Sequence, residues 1–179
     1  MKGALMRNVW LVLVALAAAT SLAAQEFHPP SVRRPGSRGT RIGLFGFGAR
    51  GGMALSGSTQ LAMGVTLDGG DLFVDRLRLR PSGEIGVFNG ANTYAGSLEA
   101  LYRFTGDAES VTPYAGFGFS LAGHDRCGSD PDCPGLWANA VVGFELHYRS
   151  TFNWLLEYHG MDVFRRSRVY LGLTTRRGN

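Results

Sequence analysis

The chain has 179 residues, a formal net charge of +4, 45% hydrophobic residues, 26 glycines and two cysteines. The glycines follow no strict period and the apolar content is ordinary, which excludes a collagen-like fibre and a disordered low-complexity chain. Two of the 18 basic residues, Lys2 and Arg7, precede residue 25, so the rest of the chain holds 16 basic and 14 acidic residues and little net charge.

The first 24 residues have the three parts of a signal peptide. Lys2 and Arg7 form a basic start, residues 9–19 are an apolar stretch, and small residues fit a cleavage site near Ala23 or Ala24. A transmembrane anchor is the alternative, but the apolar stretch is about half of the roughly 20 residues that span a bilayer. We therefore expect residues 1–24 to be cleaved and the chain to be exported.

Residues 25–40 contain no apolar period and are rich in proline and arginine, including Pro29, Pro30, Arg33 and Arg34. This composition predicts a flexible basic linker. A nucleic-acid-binding arm is the alternative, but an exported chain rarely meets nucleic acid, so we expect no nucleic-acid partner. Residues 41–179 remain for one folded domain.

From residue 41 onward, apolar residues recur at every second position. One example is the segment with Leu61, Met63, Val65 and Leu67 on one parity and Gln60, Ala62, Gly64, Thr66 and Asp68 on the other. A two-residue period is the pattern of a β-strand. In several segments the second face carries Arg, Glu and His, as expected of a lumen behind a lipid-facing wall. The pattern predicts a membrane barrel, and a soluble β-sandwich is the alternative.

Eight strands result if residues 76–88 form a single strand through Pro81. The apolar parity is unbroken there, with Leu79 before the proline and Ile85 after it on one face. A proline is tolerated in a strand at a bulge or bend. We predict an all-β fold, an eight-stranded antiparallel up-and-down transmembrane β-barrel, with strands at 41–55, 60–68, 76–88, 94–105, 112–123, 136–149, 152–160 and 167–176.

An even strand number places both ends of the barrel domain, 41–179, on the periplasmic side, together with the linker 25–40. The turns at 69–75, 106–111 and 150–151 are then periplasmic, and the other connections are extracellular. Five aromatic residues occupy outward-facing positions near the periplasmic ends of the predicted strands. They predict a periplasmic aromatic girdle. They are Tyr102, Phe104, Tyr148, Phe152 and Trp154.

The opposite parity carries the ionisable residues that we expect inside the barrel. An eight-stranded barrel has room only for side chains, so these residues should pair with one another instead of lining an open pore. The expected lumen charge network comprises Arg78, Arg80, Glu84, Glu99, Arg103, Glu145, His147, Glu157 and His159. Within it, Glu99 and Glu84 are the expected partners of Arg78 and Arg80. A catalytic carboxylate pair is the alternative.

Cys127 and Cys133 flank the sequence Gly-Ser-Asp-Pro-Asp. In an exported protein these cysteines are expected to form a disulfide, here in an extracellular loop. A metal site with His124 is the alternative, but the spacing matches no zinc motif, so no metal and no cofactor are expected.

Several short motifs occur in order along the chain: Arg-Leu-Arg-Pro-Ser at 78–82, Pro-Tyr-Ala-Gly-Phe-Gly at 113–118, Gly-Phe-Glu at 143–145, Leu-Glu-Tyr at 156–158 and Leu-Gly-Leu-Thr at 171–174. With these motifs the chain resembles the small outer-membrane β-barrel proteins of Gram-negative bacteria, with OmpA-like or OmpX-like architecture. The resemblance implies location in the outer membrane, with membrane lipid and the barrel-assembly machinery as partners, and it does not identify a ligand. Such barrels usually end on an aromatic residue, whereas this chain ends Arg-Arg-Gly-Asn.

Some barrels of this architecture are hydrolases that modify lipid A, so Ser150, His147 and Glu157 are candidates for a nucleophile, a base and an orienting acid. Ser150 would lie in a tight periplasmic turn, away from the outer-leaflet lipid, and no catalytic motif is present. We therefore predict a non-enzymatic barrel that contributes to envelope structure or to interactions of its surface loops. A lipid-modifying barrel, or one that binds a small hydrophobic ligand, is the alternative.

Overall fold

The computed structural model describes residues 39–55, 60–88, 91–106, 109–128, 133–148, 151–162 and 164–176. The expected signal peptide at 1–24 and residues 25–38 of the expected linker lie outside these ranges. Among the described residues, no helix is long and apolar enough to cross a membrane. The strands are β1 Arg41–Ala54, β2 Leu61–Asp71, β3 Leu77–Val87, β4 Thr93–Arg103, β5 Val111–His124, β6 Gly135–His147, β7 Phe152–Met161 and β8 Arg166–Thr175.

Each strand pairs antiparallel with the next along the chain, and β1 pairs with β8, so that the sheet closes into a barrel. The predicted eight-stranded antiparallel up-and-down barrel is confirmed. We call the end with the β1–β2, β3–β4, β5–β6 and β7–β8 connections the loop end. The opposite end, where β1 begins and β8 ends, is the turn end.

Side chains alternate between the outer wall and the lumen because successive residues of a strand point to opposite faces. In β7, Trp154 and Leu156 are exposed, whereas Leu155, Glu157 and His159 are buried. From Phe47 onward, the outward positions of the eight strands carry no charged side chain. This is the distribution that a strand needs in order to face hydrocarbon on one side.

Pro81 lies inside an unbroken β3, as predicted, and it faces Leu98 of β4. On the other side, β2 has a bulge between Thr66 and Gly70. The bulge interrupts the ladder beside the proline, which has no N–H to donate.

The predicted turn beginning at residue 69 is wrong, because β2 continues to Asp71 and the connection begins at Leu72. Gly70 has a φ of +110°. A side chain there would overlap the carbonyl group of Arg41 on β1. The glycine pair resembles a turn in the sequence, but in the structure it lies at the bulge and allows the close approach of β1.

The seam between β1 and β8 is the shortest pairing of the barrel. It runs from Gly48 opposite Thr174 to Ala54 opposite Arg168, which is seven residue pairs, compared with twelve between β5 and β6. Beyond the last pair, the backbone N–H of Phe47 donates to the Thr175 hydroxyl at 2.8 Å. A side chain thus replaces the backbone acceptor where the ladder ends.

Candidate functional site

The middle of the lumen is filled by seven ionisable side chains, which we call the central network. Three are arginines, three are glutamates and one is a histidine, so the arginine and glutamate charges balance. Each is no more than 9% exposed. They come from β1, β3, β4, β7 and β8 and are Arg50, Arg80, Glu84, Glu99, Glu157, His159 and Arg168.

Glu157 is 1% exposed and accepts hydrogen bonds from several sides of the lumen. Arg50 Nη1 donates to its Oε2 at 2.8 Å, and Arg80 Nη1 and the Tyr114 hydroxyl donate to Oε1. His159 Nε2 lies 3.1 Å from Oε2. A single carboxylate therefore links β1, β3 and β5 to β7.

The carboxylate of Glu99, which lies near that of Glu157, has a similar set of partners. Arg80 donates to its Oε2 from Nε at 2.9 Å and from Nη2 at 2.7 Å. The Asn139 amide donates to Oε1 at 3.1 Å, and His159 Nδ1 lies 3.5 Å from the same oxygen. Arg80 thus joins two buried carboxylates, and charge-assisted bonds of this kind are the strong ones.

Glu84 corrects one expectation, because neither Arg78 nor Arg80 is its partner. Its carboxylate accepts from Arg168, from the Tyr170 hydroxyl and, at 3.4 Å, from Arg50 Nη2. Glu84 lies four residues beyond Arg80 on the same face of β3, about 13 Å along a strand, and is nearer to arginines that reach across the lumen.

Three pairs of polar lumen residues reach each other across a glycine on the strand between them. In each trio a glycine is directly paired with both partners, so no side chain separates them. The trios are Arg50–Gly64–Glu84, Glu99–Gly118–Asn139 and Tyr114–Gly143–Glu157. At Gly143, an added Cβ would lie 2.8 Å from the Tyr114 hydroxyl and 2.6 Å from the Leu156 carbonyl oxygen, which is too close for a real side chain.

The remaining residues of the expected charge network lie nearer the turn end. Arg78 faces Asp68 at 3.8 Å, and Arg103 faces Glu145 at 3.4 Å. Asn153 donates to Glu145 at 3.1 Å. Arg176 contacts His147, which is half-buried. The lumen here contains a cavity of about 40 Å³, lined by Thr66, Asp68, Arg78 and Glu145 among others. A cavity of this size holds water and no larger molecule.

The structure does not bring together His147 and Glu157, two members of the candidate hydrolase triad. Glu157 faces Gly143, whereas His147 lies four residues further along β6, about 13 Å along the strand. Ser150 lies outside the described residues. Glu99 and Glu157, two carboxylates of the central network, are each 1% exposed.

The cysteines form the predicted disulfide, Cys127–Cys133, with Cα atoms 5.2 Å apart. Within the described ranges, one group of three metal-ligating side chains occurs, consisting of these cysteines and His124. Because the two sulfur atoms are bonded to each other, neither is a thiolate ligand.

All five residues of the expected girdle are at least 38% exposed. They lie on the outer wall at or just beyond strand ends of the turn end, with Tyr102 and Phe104 ring centroids 5.5 Å apart and those of Tyr148 and Trp154 6.0 Å apart. A second set of exposed aromatics at the loop end, Phe88, Tyr94 and Phe164, was not predicted. Their position beside the predicted loops is the signal that could have identified them.

The sequence reasoning also missed residues of the lumen, among them two arginines and two tyrosines. Arg50 and Arg168 belong to the central network, and Tyr114 and Tyr170 donate to its carboxylates. Glycines on both faces of β1 hide its parity, so that Arg50 was not assigned to the lumen. The tyrosines are on the inward parity of their strands, and this parity was the available signal.

No protein-family model and no curated protein sequence matches the chain. Among solved structures, the N-terminal β-barrel domain of Pseudomonas aeruginosa OprF aligns with a TM-score of 0.56 at 16% identity, over 74% of this chain and 98% of that one. Neisserial surface protein A aligns with a TM-score of 0.52 at 17% identity, over 73% and 94%. A de novo designed transmembrane β-barrel aligns with a TM-score of 0.51 at 13% identity, over 78% and 98%. The chain therefore has the fold of the eight-stranded transmembrane β-barrels, as its motifs led us to expect.

Proposed function

We propose that the chain is a non-enzymatic outer-membrane barrel protein that contributes to the structure of the envelope or to interactions of its surface loops. Its outer wall supports a membrane location, because the outward positions carry no charge and exposed aromatics lie at both ends. Export by a cleaved signal peptide at 1–24 is part of the same proposal.

The observation that carries the proposal is the packed central network. Glu157 joins arginines and a tyrosine from three other strands, and the neighbouring lumen cavity is only about 40 Å³. Ligand pockets are usually 300 Å³ or larger. A solute would have to break several buried ion pairs to pass, so we infer that the barrel is closed to solutes.

Outer-membrane lipid and the barrel-assembly machinery are the proposed partners. In β8, the outward Val169, Leu171 and Leu173 keep the apolar parity that lipid contact requires. The strand ends at Thr175 without a terminal aromatic residue. We propose that assembly of this barrel depends on the outward apolar residues of β8.

Two measurements on the chain without residues 1–24 test the proposal. A closed membrane barrel in detergent should migrate differently on a gel before and after boiling, since folded barrels resist the detergent. Liposomes containing the protein should not swell in small sugars, whereas liposomes with an open porin should. Identical gel migration before and after boiling would contradict a membrane barrel. Swelling comparable to that with the porin would contradict a closed lumen.

A second candidate function is a barrel that binds a hydrophobic ligand. One observation favours it. The outer wall has a groove of about 540 Å³, which is lined by side chains of β5, β6, β7 and β8 and by Phe104, the residue after β4. The groove lies outside the lumen, so its ligand would approach from the membrane.

A further inference from the structure

The disulfide at the loop end lies beside a histidine. The connection between β5 and β6 runs from His124 to Gly135, and both of these strand ends are paired with a neighbouring strand. The Cys127 backbone N–H donates to the His124 carbonyl oxygen at 3.3 Å, which forms a tight turn after β5. Cys133 closely precedes Gly135 at the start of β6. The paired ends of β5 and β6 therefore hold both cysteines close to His124.

The three side chains place metal-binding atoms together in space. His124, Cys127 and Cys133 each offer one ligand atom, and these atoms all lie within 4.8 Å of one another. In a tetrahedral zinc site with Zn–S bonds of about 2.3 Å, two ligand sulfurs are about 3.8 Å apart. After reduction, the sulfurs can reach that separation by side-chain rotation, since the two Cα atoms are 5.2 Å apart. All three residues are partly exposed, so an ion can enter from solvent.

The surroundings of Cys127 favour its thiolate form. The His124 backbone N–H donates to Cys127 Sγ at 3.5 Å, and the Tyr94 hydroxyl lies 3.7 Å from the same sulfur. Tyr94 extends across Gly123, where an added Cβ would lie 2.5 Å from the tyrosine hydroxyl. Hydrogen-bond donors favour the charged form of an acid, and the thiolate is the form of cysteine that binds metals.

His124 presents an unprotonated ring nitrogen. Its Nδ1 accepts a hydrogen bond from the Arg126 backbone N–H at 3.1 Å. The neutral imidazole is the form that binds metals. Binding through Nδ1 would exchange this hydrogen bond for a metal bond, and water can satisfy the N–H of Arg126 because that residue is exposed.

We propose that, when the disulfide is reduced, His124, Cys127 and Cys133 bind one Zn²⁺ ion with a water molecule as the fourth ligand. The donor set selects the ion, because two thiolates neutralise a divalent charge, and two sulfurs, one imidazole nitrogen and water form an arrangement that zinc adopts. The redox state of the disulfide controls the site. This inference goes beyond the proposed envelope role and does not depend on it.

A dithiol supplies the two electrons and two protons that convert the disulfide into two thiols, and it becomes a disulfide itself. Zn²⁺ then displaces the two thiol protons to solvent, so binding should strengthen as the pH rises. Oxidation by another disulfide takes two electrons from the two sulfurs, re-forms the S–S bond and releases the ion.

Titration with Co²⁺ tests the site, because Co²⁺ substitutes for Zn²⁺ and its bonds to thiolates absorb near-ultraviolet light. The chain without residues 1–24 is folded in detergent and kept reduced by a phosphine. It should bind one Co²⁺, which Zn²⁺ should displace. Y94F removes a donor behind a ligand and should weaken binding about tenfold, and H124A removes a ligand and should weaken it about a hundredfold or more. Replacing both cysteines with serine should abolish the absorption.

Oxidised wild type and D125N are the matched controls. Oxidised wild type has the same sequence without thiolates and should give no thiolate absorption. D125N removes an exposed carboxylate next to His124 and should bind Co²⁺ like reduced wild type. Reduced wild type without thiolate absorption would overturn the site, as would H124A that binds as tightly as D125N. Loss of the heat-modifiable band on reduction would also overturn it, because the site needs the paired ends of β5 and β6.

Discussion

Replacing Glu157 with glutamine should destabilise the barrel strongly while leaving its shape unchanged. The glutamine keeps one acceptor oxygen, but its amide group points N–H donors at Arg50 or Arg80, which are themselves donors. The arginine and glutamate charges of the central network no longer balance, and an arginine charge is left uncompensated in a buried site. Removing one charged partner of a buried ion pair costs about 3–5 kcal/mol. This is a large share of a typical free energy of unfolding of about 5–15 kcal/mol.

Urea unfolding in detergent micelles, followed by tryptophan fluorescence and by gel migration, measures this loss. E109Q, which removes an exposed carboxylate at the turn end, should leave the unfolding midpoint unchanged. Adding R50Q to E157Q should cost less than the sum of the two single changes, because it restores the charge balance. A free energy of unfolding for E157Q within about 1 kcal/mol of wild type would refute a buried, coupled network.

Three further predictions concern the packing around Gly143, the disulfide loop and the lipid-facing wall. Gly143→Ala should lower the free energy of unfolding by about 1–3 kcal/mol through overlap with Tyr114, whereas Gly96→Ala, on the open outer wall, should not. Replacing Cys127 and Cys133 with serine should leave barrel unfolding almost unchanged but speed proteolysis of the loop between them, and a barrel that fails to fold would contradict this. Brominated lipid should quench the fluorescence of outward Trp154 more than that of Trp137, and equal quenching in single-tryptophan variants would contradict the assigned wall.

The sequence predicted the wall of the barrel well because each strand has to match lipid on one face. The parity that continues across Pro81 is a local property, and it was sufficient to count eight strands. Gly70 shows the limit of local reasoning. A glycine pair after a strand resembles a turn, and only the position of Arg41 on the neighbouring strand shows that it serves a bulge.

The partners inside the lumen were harder to predict because they depend on which strands face each other across the barrel. Arg80 binds Glu99 on the adjacent strand, a contact that the strand order makes accessible to sequence reasoning. Glu84 binds Arg168 of β8, and that contact exists only after the barrel has closed. No periodicity in the sequence specifies the direction in which a long side chain crosses the lumen.

The short seam between β1 and β8 has a consequence for how the barrel enters a membrane. Arg50 of the first strand reaches Glu157, and Arg168 of the last strand reaches Glu84, only when the seam is formed. An open sheet in hydrocarbon would expose these arginines and the free backbone edges of both strands, each at a cost of several kcal/mol. The open sheet is therefore a high-energy state in lipid, and ring closure and loss of water from the interior have to occur in the same step. Any factor that lowers the barrier to insertion has to shelter the first and last strands together until their charges have found their partners.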